Sequence, residues 1–130
     1  MPSFGTLKAD TLTHSTAGSL ATNFVVEGSA KSWCKWNASV TVDDSFNQSS
    51  MVDVGTGDYE VVFTTSFGAA SKFAAAGIGG QHGSTNGYMS WTGGGNNTTH
   101  ADRIKVQLVN ASGSAVDADK NAIIVHGDLA

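Results

Sequence analysis

Alternation of apolar and polar residues is cleanest at residues 103–109. Ile104, Val106 and Leu108 fall on one side, Arg103, Lys105 and Gln107 on the other. A period of two marks a half-buried strand, because successive strand side chains point to opposite faces. Residues 59–65 repeat the pattern, with Tyr59, Val61 and Phe63 alternating with Glu60, Val62 and Thr64. A shorter run at 51–54 precedes them, and Gly55-Thr56-Gly57-Asp58 lies between. Glycine reaches positive φ without steric cost, so the two runs are expected to pair as a hairpin. Residues 31–36 read as a strand with Trp33 on one face and Cys34 and Trp36 on the other. Residues 39–42 are expected to continue it and Asp43-Asp44-Ser45 to break it. Further along, 73–79 reads as a buried strand and 80–86 as a loop. Residues 87–91 read as a strand, with Tyr88 and Ser90 opposite Met89 and Trp91, and 93–99 as a long Gly/Asn loop. Residues 110–113 form a turn, 115–119 a connection of undecided form. The apolar run 122–126 is expected to be buried on both sides or packed on a partner.

No stretch holds apolar residues at helical spacing, and the short Ala-rich piece 69–76 is the only helical candidate. About eight short strands separated by turn signals predict an all-β domain, an antiparallel β-sandwich of jelly-roll-like type. Residues 1–28 stand apart from the domain expected at 29–130. They are rich in Thr, Ser, Ala and Gly, with isolated apolar residues at Phe4, Leu7, Leu12, Leu20 and Phe24. They read equally as an extended N-terminal arm or short stem and as a loose terminus, with residues 24–26 a candidate first strand. In an arm, those five apolar residues are the candidates for attachment to neighbouring chains.

Length and composition narrow the classes. The chain has 130 residues, 40% hydrophobic and 14% charged, with a net charge of −4. One core suffices at this length. The charged share is well below the usual ~25%, which suits a neutral polar surface packed against neighbours or placed outside a cell. No Lys/Arg run provides the footprint of nucleic-acid binding. No apolar run approaches the ~20 residues of a membrane-spanning helix, and residues 1–5 do not open a signal peptide. Cys34 is the single cysteine. It reads as a small buried hydrophobe, since a catalytic thiol would need a basic neighbour that the sequence does not supply.

Candidate chemistry is sparse. His14, His82, His100 and His126 have no metal-site spacing; His82, His100 and Asp102 could converge only through Gly-rich loops, so no metal or cofactor is expected. Asp43, Asp44, Asp117 and Asp119 read as turn formers, without the EF-hand spacing of a calcium loop. No GxSxG elbow is present, and neither glycine cluster continues into a phosphate loop; no enzyme activity is expected. Gly79 and Gly80 read as sites of close backbone approach. Asn-x-Ser/Thr occurs at Asn37, Asn47, Asn96, Asn97 and Asn110. Trp33, Trp36 and Trp91 belong by default to a core or an interface. Trp91 borders the Gly/Asn loop, so a ligand surface, if present, is expected from Trp91, His82, Asn86, Tyr88, Asn96, Asn97 and His100.

Three segments carry a family resemblance. Ser29-Ala30-Lys31-Ser32-Trp33 through Asn37 is followed by Gly55-Thr56-Gly57-Asp58-Tyr59 and Val61-Val62-Phe63-Thr64-Thr65. The end supplies Arg103-Ile104-Lys105-Val106, Asn110-Ala111-Ser112-Gly113, Asp117 and residues 123–127. This resembles a β-domain of bacteriophage tail fibres and related virion proteins, with its "AKAWVNFNG" segment, "NGTGDYTVNFTT" hairpin and "R…N.SG…D" ending. It covers residues 29–128 and departs from the pattern at Cys34-Lys35-Trp36. The resemblance implies a homotrimeric β-sandwich in a virion, of tail-fibre or appendage type, contacting other phage proteins and a host-surface glycan or protein. It brings no catalytic residues. The short segment before residue 29 keeps capsid decoration as a second reading, and Trp91 with its loops keeps a lectin-like module as a third.

Overall fold

A computed structural model describes residues 9–16, 18–82, 85–91 and 100–130. In chain order the elements are β1 (Thr11–His14), β2 (Gly18–Ala21), α1 (Thr22–Gly28), β3 (Ala30–Trp36), β4 (Val42–Phe46), β5 (Gln48–Gly55), β6 (Asp58–Phe63), β7 (Phe73–Ile78), β8 (Gln81–His82), β9 (Thr85–Asn86), β10 (Tyr88–Trp91), β11 (Arg103–Val109) and β12 (Asn121–Gly127). Two four-stranded antiparallel sheets dominate, in the orders β10-β11-β6-β5 and β4-β3-β12-β7. Pairs β1-β2 and β8-β9 form separate two-stranded hairpins.

The two sheets face each other across one core. Cys34, Trp36, Phe73, Ile123 and Val125 come from one, and Tyr59, Val61, Phe63, Ile104, Val106 and Leu108 from the other. Trp36 and Tyr59 meet edge-to-face across the gap at 5.9 Å between ring centres. Phe63, Phe67 and Phe73 form a second aromatic group. The domain is thus an all-β, antiparallel two-sheet sandwich. The 103–109 alternation is realised with Ile104, Val106 and Leu108 inward, although Lys105 is also buried. The expected hairpin is β5-β6, closed at Gly55↔Asp58.

Local expectations differ at several places. Residues 24–26 are helical, within α1, and not a first strand. Among the described residues no strand pairs with Phe24, Val25 or Val26, and a helix satisfies its backbone groups internally. Residues 39–42 do not continue β3. Asn37 Oδ1 accepts from the Ser39 and Thr41 amides at 3.0 Å each, and Val40 takes a left-handed φ of 58°. Asp43, Asp44 and Ser45 lie inside β4 instead of ending a strand. They are tolerated because β4 is an edge strand, where Asp43 reaches Lys35 at 3.5 Å. The chain then turns at Asn47, at φ 53°, into the other sheet. That corner is fastened by Asn47 Oδ1 accepting from the Thr65 amide at 2.7 Å.

Residues 69–76 contain only a 3-10 turn at Ala70–Lys72, and β7 takes over. β7 is an edge strand with Ala74, Ala76, Gly77 and Ile78 exposed, not a buried one. Residues 80–86 hold the β8-β9 hairpin, not only a loop. Gly80 and Gly79 do serve close approach. An added Cβ at Gly80 would lie 2.2 Å from Lys120 O, and one at Gly79 2.9 Å from Gly87 C. Residues 122–126 are buried on one face alone, with Ile123 and Val125 inside and Ile124 outside. Among the described residues no helix is long and apolar enough to cross a membrane.

Candidate functional site

The tightest polar arrangement is structural and centres on Asp117. Its Oδ1 accepts from the Gly57 amide at 2.7 Å and from the Tyr59 hydroxyl at 2.9 Å. The Leu108 amide donates to Gly57 O at 2.7 Å, and the Val116 amide donates to Leu108 O at 3.0 Å. The β5-β6 turn is thereby tied to the connection between β11 and β12. Burial, and then the Asp117 carboxylate, push the Tyr59 phenol above its ordinary pKa. At the other end of β11, Arg103 reaches Asp102 at 2.9 Å and Glu60 at 3.3 Å. The guanidinium hydrogen bond holds the Asp102 carboxyl below its ordinary value.

Cys34 is buried in the core, and burial pushes its thiol pKa up from 9.0 to about 11. It is a thiol, not a thiolate, at neutral pH. The unfolded thiol ionises near 9.0, so between pH 9.0 and about 11 the unfolded state binds fewer protons than the folded one. Unfolding free energy is therefore expected to fall with rising pH across that window. Urea titrations at about pH 8 and about pH 10.5 should show a steeper fall in the wild type than in Cys34→Ala. Equal slopes would remove Cys34 as the cause.

The expected ligand-surface residues that are described do not form one cluster. Tyr88 pairs with Val109 at one end of β10-β11, whereas Trp91 pairs with Val106. Three residues along a strand separate Tyr88 from Trp91 by about 10 Å. His82 and Asn86 lie in β8 and β9, which precede the Tyr88 end. His100 bridges to Arg103, beyond the Trp91 end. Asn96 and Asn97 lie outside the described residues. Among the described residues no group of three His, Cys, Asp or Glu is placed to hold a metal ion. Three of the Asn-x-Ser/Thr asparagines hold turns through their side chains: Asn37 and Asn47 as above, and Asn110, which accepts from the Ser112 and Ser114 amides.

Of the arm candidates, Phe4 and Leu7 lie outside the described residues. Leu12 and Leu20 pair directly across β1-β2 and remain 40% and 47% exposed. Phe24 is exposed on α1. The hairpin joins α1 through the Thr22 amide, which donates to Asp10 O at 3.0 Å. The β1-β2 hairpin and α1 are formed, but their large apolar side chains Leu12, Leu20, Phe24, Val25 and Val26 are uncovered.

A feature that the sequence pattern did not single out is an apolar row on the outer face of the β4-β3-β12-β7 sheet. Phe46 pairs with Trp33, Trp33 with Ile124, and Ile124 with Ala76. Directly paired residues share a face. Phe46 is 54% exposed and Ile124 48%. Beside the row, Ile78, Ala122, Gly77, Ala76 and Ile124 line a shallow apolar groove. The available signal was the doublet Ile123-Ile124, since one of two adjacent strand residues must face away from a core. Compared with protein-family models, curated proteins and solved structures, the chain matches none.

Proposed function

We propose that this chain is a structural protein of a bacteriophage virion, of tail-fibre or appendage type, assembling as a homotrimer and contacting other virion proteins. The observation that carries the reading is the Phe46–Trp33–Ile124–Ala76 row, an apolar band on a surface a lone molecule would leave in water. The resemblance of residues 29–128 to phage β-domains supports the virion setting. A mass three times that of the chain is expected by light scattering at micromolar concentration. A monomeric mass there would overturn the assembly.

Capsid decoration is the second reading, favoured by the exposed Leu12, Leu20 and Phe24 of an arm suited to clamping onto a neighbour. Counting copies in an intact particle separates the two: hundreds mean decoration, a handful a fibre. Host-glycan contact rests on Tyr88, exposed at its end of β10. A glycan array with no signal would remove that role and the lectin-like alternative with it.

A further inference from the structure

The edges of the two large sheets are not treated alike. β4 carries Asp43 and Asp44 and shifts register against β3. β5 carries Asp53 and shifts register twice against β6. Charges and bulges of this kind stop a foreign strand from adding to an edge. β7 has neither. Its sequence Phe-Ala-Ala-Ala-Gly-Ile is uncharged, and its six pairs with β12 run from Phe73 to Ile78 without a shift. It is also where the outer apolar row ends, at Ala76, beside the groove between Ile78 and Ile124.

The β1-β2 hairpin is the converse. An isolated two-stranded hairpin is marginally stable in water and needs further strands or a packed face. Its support, α1, has seven residues, no side-chain hydrogen bond at its N-cap, no acid in its first turn and no base in its last. Helices this short depend on packing. One face of the hairpin is the Leu12↔Leu20 pair. On the other, the Thr13 and Ser19 hydroxyls share a hydrogen bond of 3.0 Å. β2 runs straight into α1, and His126 of β12 contacts Gly28 O at 3.0 Å, so β2 is the strand tethered to its own sandwich. β1 is left as the outer strand.

We propose that the β1-β2 hairpin of one copy adds through β1 to the β7 edge of a second copy, extending the β4-β3-β12-β7 sheet by two strands and continuing the row Phe46–Trp33–Ile124–Ala76 with Leu12 and Leu20. The small side chain of Ala76 and the groove beside it leave room for the two leucines. The occupant is a second copy because this one chain carries both halves: a hairpin without a core, and an unguarded edge whose apolar row the hairpin's leucine pair extends in kind. Donor and acceptor are different surfaces, so the contact is head-to-tail, and in a homotrimer three such contacts close a ring. The proposal rests on the reading of the chain as a homotrimer and names the contact that builds it.

The test uses the full chain with single substitutions at exposed positions. Strand neighbours directly opposite each other bring their Cβ atoms within ~5 Å, close enough for a disulfide. Leu12→Cys mixed with Ala76→Cys is expected to give a covalent heterodimer on mild oxidation. The chain bearing both substitutions is expected to give covalent trimers. Leu12→Cys mixed with Val52→Cys on the guarded β5 edge is expected to give none. The native cysteine does not interfere, because Cys34 is buried. Ala76→Lys is expected to reduce the solution mass three-fold while leaving the thermal midpoint of the sandwich nearly in place. A trimer without the Leu12–Ala76 cross-link would overturn this contact and leave the assembly standing. Self-linking of Ala76→Cys would also overturn it, showing β7 paired with β7. A monomeric wild type would overturn both.

Discussion

Gly57→Ala is expected to lower the unfolding free energy by about 2–5 kcal/mol in urea titrations, with the midpoint shifting and the slope preserved. Two independent effects add. Gly57 sits at φ 71°, where an L side chain costs about 1–2 kcal/mol. The new Cβ would also lie 2.6 Å from Leu108 O and 2.8 Å from Val116 N. Neither atom is the end of a flexible side chain; both belong to the backbone that ties β11 to the β5-β6 turn. Moving them disturbs the amides donated to Asp117 and to Gly57 O. Gly55→Ala provides the contrast. Gly55 is also at positive φ, but nothing lies within 4 Å of its added Cβ. Its loss should therefore be confined to backbone strain, and equal losses at both positions would show that the close approach at Gly57 contributes nothing.

Trp36→Ala is expected to cost about 3–5 kcal/mol, read from the same titrations. Trp36 is fully buried, and its ring edge meets Tyr59 from the facing sheet. Truncation removes the largest side chain that spans the two layers and leaves a void between elements held apart by their own ladders. Trp36→Phe should cost less. The indole Nε1 has no hydrogen-bond partner among the described residues, so phenylalanine removes an unsatisfied donor along with part of the ring. An alanine loss under about 1 kcal/mol would mean that the sheets close over the gap.

How far the sequence alone could lead is visible in the same residues. The β5-β6 hairpin and β11 were legible because glycine turns and strict alternation are local signals. Asp117 was legible only as a turn former. Its two donors, Gly57 and Tyr59, lie some sixty positions earlier, and no local spacing brings them together. The charged residues of β4 were misread as a break because a period-two reading cannot tell an edge strand from a loop. The opposite error affected β7. Small apolar residues suggest burial, but Ala and Gly are equally suited to an edge awaiting a partner strand. Residues 24–26 have strand propensity, yet tertiary placement made them helical. The ligand-surface residues are neighbours of Gly-rich loops in sequence, but the extended β10 strand puts Tyr88 and Trp91 at its opposite ends.

The position of β12 has a consequence for how the chain reaches this state. Of the eight strands in the two large sheets it is synthesised last, yet it lies between β3 and β7 and contributes Ile123 and Val125 to the core. Until it emerges, β7 has no partner in its sheet, and β3, already paired with β4, must wait across most of the chain for its second neighbour. Sheet closure at the centre is thus a late, long-range event. Pairings of that kind place folding in the slow, millisecond-to-second regime of all-β domains.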